Sequence, residues 1–105
     1  MINRIKIMAK QVVQSKFPDL SAIDSAISLG QLIKAKRTEL KIKLVDCAAL
    51  CGIGVNTLSR IEKGNSNCTL GATFAVLKGL GIKLNPTGIS TTDTSVQQNN
   101  AIPWV

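Results

Sequence analysis

The 105-residue sequence contains no histidine and six acidic residues. That removes the commonest acid–base side chain and most of the carboxylate pairs on which proton-transfer chemistry depends. No nucleophile–base set and no phosphate-binding loop is present, so no enzyme is expected. Aromatic residues are confined to Phe17, Phe74 and Trp104. The core must then come from Ile, Leu, Val and Ala, a composition suited to helices packed by aliphatic ridges. Cysteine is scarce and odd in number, with Cys47, Cys51 and Cys68. Together with the lack of a secretory signal, this argues for a reducing compartment, the cytoplasm or nucleoid. Cys47 and Cys51 stand four residues apart, a spacing open to metal ligation. A zinc site, however, takes about four ligands and no Cys–His set exists, so free cysteines serving as small apolar residues are expected, with no metal and no cofactor. No apolar run approaches the roughly eighteen residues of a membrane span.

What is plentiful is positive charge. Thirteen Lys and Arg against six Asp and Glu leave a net +7. All the basic residues fall between Arg4 and Lys83, and beyond Lys83 the one charge is Asp93. A polyanion partner fits this distribution through phosphate neutralisation; a merely soluble basic surface is the alternative.

Residues 44–64, LVDCAALCGIGVNTLSRIEKG, organise the chain. They read as two short helices around a tight turn. Val45, Ala48, Cys47 and Cys51 are the expected apolar side of the first helix, over about residues 44–51. Gly52 supplies the turn, and Ile53 plugs it from below. The second helix starts near Gly54 and runs to about Lys63, with Leu58 and Ile61 inward. Gly64 and Asn65 end it in a left-handed cap. Val55, Asn56, Ser59, Arg60 and Lys63 are left outward, a surface suited to a major groove. A helical hairpin without DNA shares the same pattern.

Around this unit, residues 1–20 form an arm or short helix, 21–85 a folded domain, and 86–105 a flexible tail. In the arm, Ile2, Ile5, Met8, Val12 and Val13 fit a helical stripe, and Ile5-Lys6-Ile7 a short strand. Ser21 or Asp24 caps a first core helix over residues 26–39. Its face runs through Leu29, Leu32, Ile33 and Lys36, with Lys34, Arg37 and Glu39 around it. Ile42 is expected buried, with Lys43 at the next helix N-terminus, where phosphate is attracted. Thr69 caps a later helix over residues 70–79, with Phe74, Leu77 and Leu80 inward and Gly79 and Gly81 ending it. Ile82, Lys83 and Leu84 read as a brief strand that needs a partner, which points to a symmetric dimer. The tail is too polar to offset chain entropy, yet ends in Ala-Ile-Pro-Trp-Val. There Trp104 is either an anchor for a partner's pocket or an incidental tail residue.

Residues 29–84 resemble the lambda repressor–Cro (XRE) helix-turn-helix family. The likeness rests on Leu29-Gly30, Ile33, Arg37, Ile42, Ala48, Gly52-Ile53, the run from Thr57 to Glu62, Gly64 and Leu80-Gly81. The stretch from Thr69 to Leu84, and the tail with Gln97-Gln98-Asn99 and Trp104, are similar to HipB-type antitoxins. The resemblance implies an all-α bundle of about five helices, a C-terminal strand paired across a dimer, and a disordered tail. It further implies a homodimer that binds an operator palindrome in double-stranded DNA and represses its own toxin–antitoxin operon. The implied protein partner is a HipA-type serine/threonine kinase, whole or split, which the tail residues Ile102, Pro103, Trp104 and Val105 would engage. By the same resemblance, base-reading positions fall on Gly54, Val55, Asn56 and Ser59. Phosphate-facing positions fall on Lys43, Leu44, Arg60, Lys63 and Asn65, and a buried ion pair on Arg37 and Glu62. Two positions depart from the family. Leu44 stands where Gln is frequent, and Gly54 where Ser or Thr is usual. Val55 can make only apolar contacts, and Asn56 is the best-suited adenine reader. With few hydrogen-bonding readers, DNA shape carries much of the specificity in this reading. A stand-alone repressor without a toxin shares every feature except the tail.

Overall fold

The computed structural model describes residues 11–90. Four helices follow one another: α1 (Ala26–Glu39), α2 (Leu44–Cys51), α3 (Val55–Glu62) and α4 (Leu70–Leu80). No strand and no fifth helix forms among the described residues. Residues 82–84, expected as a strand, are irregular: three residues with no ladder partner among the described residues do not hold an extended pairing. Residues 11–25 hold no helix. The Ser15 amide in this arm donates to Thr38 Oγ1 at 2.8 Å, tying the arm to the end of α1. The rest of the expected N-terminal stripe, and residues 102–105, lie outside the described residues.

Each helix stops by the same device. The first residue past α2 and α4, and the second past α1 and α3, takes a left-handed turn, and the next amide reaches back to the carbonyl five residues earlier. Gly52, with φ 72°, ends α2 this way, and the Ile53 amide then donates to Ala48 O at 3.0 Å. Gly64 and Gly81 repeat the turn after α3 and α4, with Asn65 bonding to Arg60 O and Ile82 to Leu77 O. After α1 the same place is held by Lys41 at φ 61°, the one non-glycine with positive φ among the described residues. Three of the four motifs deliver an isoleucine: Ile42, Ile53 and Ile82 all pack on the core. The chain break and the core contact are thus one structural event.

The core is Ile33, Cys47, Ala48, Leu58, Ile61, Val76, Leu77 and Leu80, with no aromatic residue in it. Several expected faces are corrected. The inward stripe of α2 passes through Leu44, Cys47, Ala48 and Cys51, so Val45 falls off it and is 63% exposed. The stripe of α4 passes through Val76, Leu77 and Leu80, which leaves Phe74 outside it and 53% exposed. On α1, Arg37 is buried while Lys36 pairs at the surface with Glu39 at 3.6 Å. The cap of α1 is Ser25, not Ser21 or Asp24. Ser21 is already engaged with Asp19, whereas Ser28 stands where it can return the bond, closing a reciprocal box with Ser25. The two Ser21 donors hold the exposed Asp19 carboxyl below its ordinary value. Gly79 does not end α4 but lies within it, and its face is pressed by the Cys51 sulfur; a Cβ there would come within 2.6 Å.

Candidate nucleic-acid interface

Helices α2 and α3 meet at 108° across Gly52-Ile53-Gly54. This is the perpendicular arrangement of a helix-turn-helix, with α3 as the outer, groove-entering helix. Leu58 and Ile61 hold α3 to the core. Gly54, Val55, Asn56 and Arg60 are exposed along its outer side, Ser59 is half-buried, and Lys63 and Asn65 are exposed just past its end. Lys43 is exposed at the start of α2. Leu44 is turned inward against the core, so what it offers outward is its amide. Among the described residues no carboxylate pairs with Lys43, Arg60 or Lys63; the two ion pairs are Lys36–Glu39 and Arg37–Glu62.

Capping divides the helices into two kinds. Helices α1 and α4 begin on Ser25 and Thr69, whose side-chain oxygens accept from the Ser28 and Ala72 amides. Helices α2 and α3 begin on Lys43 and Gly54, and neither has a side-chain cap. The first-turn amides of these two helices therefore point outward without a protein acceptor. Such amides attract phosphate, helped by the positive end of the helix dipole.

The orientation of α3 is set from behind. Arg37 Nε and Nη2 donate to both Glu62 oxygens, at 2.6 and 2.9 Å, and Nη1 donates to the Ile42 carbonyl at 2.8 Å. The guanidinium and carboxylate are 8% and 6% exposed, so the pair joins α1, the last turn of α3 and the α1–α2 connection below the surface. Gly30 makes the second point of contact. A Cβ there would lie 2.8 Å from the Glu62 carbonyl oxygen, so α1 approaches the backbone of α3 without a side chain between them. The spacing of residues did not reveal this role, although a glycine in mid-helix is itself the signal. Its helix cost of about 1 kcal/mol is tolerated where another backbone comes close.

The outward polar helix, the free amides and the unpaired cations together define a DNA-binding helix-turn-helix domain. The chain matches the helix-turn-helix family HTH_3 over residues 33–86, just over half its length, and belongs to that family. The family is a DNA-binding regulatory one and not typically enzymatic. No curated protein matches the chain. Among the described residues no single helix is long and apolar enough to cross a membrane.

Proposed function

We propose that this regulator is the antitoxin and autorepressor of a HipA-type toxin–antitoxin operon. It binds a palindromic operator as a homodimer and a serine/threonine kinase toxin, whole or split into subunits, through its C-terminal tail. The observation that supports the DNA part best is the capping asymmetry. Side-chain caps are present on α1 and α4 and absent from the two helices of the helix-turn-helix, where phosphate oxygens would take their place. In this reading Lys43, the Leu44 amide, Arg60, Lys63 and Asn65 meet the DNA backbone. Val55, Asn56 and Ser59, with Gly54 allowing close approach, meet base edges. The dimer contact falls on Ile82, Lys83 and Leu84; Lys83 and Leu84 are exposed and their backbone has no ladder partner among the described residues.

The antitoxin part rests on the sequence of the tail, and its test is a pull-down from the native host. The tagged full-length chain is compared with the same chain ending at Asn85. Loss of a kinase partner on truncation supports the tail as the toxin contact. A kinase held equally by both forms moves the contact to the helical body. Operator DNA bound without any protein partner leaves a stand-alone dimeric repressor, a reading consistent with a family match that stops at residue 86.

A further inference from the structure

The geometry points to Cys47 and Cys51 as a two-sulfur binding site for a soft, two-coordinate monovalent cation of the copper(I) class. The sulfurs face each other at 4.0 Å from successive turns of α2. Cys47 is fully buried, and Cys51 is half-buried at the α2–α4 contact, which gives the pair one side open for loading. Its sulfur lies against the bare face of Gly79, where no β-carbon intervenes.

Three considerations select this ligand class. A disulfide is opposed by the helix. Cβ atoms one turn apart stand about 5–6 Å from each other, beyond the roughly 3.5–4.5 Å that a disulfide spans. A sulfur–cation–sulfur bridge has the longer reach, since two metal–thiolate bonds of about 2.3 Å each cover the observed gap with little movement. Zinc is excluded by number, because it takes about four ligands and no group of three or more Cys, Asp or Glu suited to a metal occurs among the described residues. Hard cations are disfavoured by the sulfur ligands themselves. Burial, and then the neighbouring Cys51, push the Cys47 thiol up to about 12, so Cys47 keeps its proton until a strongly thiophilic ion displaces it. On loading, both thiols release their protons to solvent. Two thiolates and one monovalent cation leave a single negative charge; the Arg37 guanidinium favours this charge on Cys47 and its ion-pair partner Glu62 opposes it.

The test is an anaerobic titration of the reduced full-length chain with cuprous ion delivered from a competing chelator. It is followed by thiolate-to-copper charge-transfer absorption, with helicity checked by circular dichroism. Expected are one ion per chain for the native protein and for Cys68→Ala. For Cys51→Ala, with helicity retained, affinity falls by more than the ~10–100-fold that loss of a merely supporting contact costs. Equimolar zinc leaves the signal unchanged. No stoichiometric uptake, one ion shared by two chains, displacement by zinc, or loss with Cys68→Ala in place of Cys51→Ala would each overturn the assignment.

Discussion

Arg37 is the residue whose removal should be felt furthest. All three of its acceptors, the two Glu62 oxygens and the Ile42 carbonyl, are beneath the surface. Arg37→Ala leaves the Glu62 carboxylate buried and unpaired, and the expected loss is about 3–5 kcal/mol of unfolding free energy. Replacing both partners by methionine should recover most of it, since an apolar pair of similar volume avoids the uncompensated charge. Urea denaturation of the two variants decides this, and equal destabilisation would refute the account. On the outer side of α3 the effects should divide by chemistry. Arg60→Ala should weaken binding on every DNA sequence and reduce the slope of log affinity against log salt by about one. Asn56→Ala should cost about 1–3 kcal/mol on the operator alone, at one base pair per half-site. An equal loss on random DNA would remove Asn56 from the reading set.

At the scale of the element, the helix ends are the most informative places. Lys41 holds a left-handed backbone that a β-carbon resists, where α2, α3 and α4 have glycine. Lys41→Gly should raise stability by about 0.5–1 kcal/mol, seen as a rise of a few degrees in Tm; a fall would show that the lysine side chain contributes what its backbone costs. These ends were also the most legible part of the sequence. Gly52, Gly64 and Thr69 mark boundaries by local chemistry, and α1, α2 and α3 start and stop within a residue of where the pattern puts them. Faces were harder to read. Val45 and Phe74 are apolar but out of phase with their own helices, and phase over eight to eleven residues leaves room for error. Arg37, a cation, reads as surface from the helical pattern alone and becomes core only because Glu62 stands opposite. Ser25 is hard to single out because Ser21 and Asp24 carry equally good capping oxygens, and the reciprocal partner Ser28 is not the Glu or Gln that usually marks the box. The outer face of α3 could be read as a surface because its residues are short, polar or charged and stand out of phase with Leu58 and Ile61. Residues 82–84 were misleading, because apolar alternation over three residues is too short a signal to specify a strand.

For the molecule as a whole, the buried thiol sets an alkaline limit. Cys47 keeps its proton in the fold up to about 12, against an ordinary value of 9.0. Between these two values the unfolded chain has lost a proton that the folded chain still holds. Stability therefore falls as pH rises through that window, while below it this thiol leaves stability unchanged with pH. Urea midpoints at intervals from pH 8 to 12, for the native chain and for Cys47→Ala, should show a shallower alkaline decline in the variant. Parallel curves would mean that Cys47 does not contribute to it. The shared construction of the helix ends has one more consequence, for where the chain can change length. Where a left-handed turn is followed at once by an anchoring isoleucine, as at Ile42, Ile53 and Ile82, one added residue would swing the anchor out of the interior. After α3 the corresponding residue is Asn65, polar and exposed. The stretch from there to Thr69 is accordingly the joint at which insertions and deletions can accumulate, while the connections on either side of the groove-entering helix's partner α2 are held to a single length.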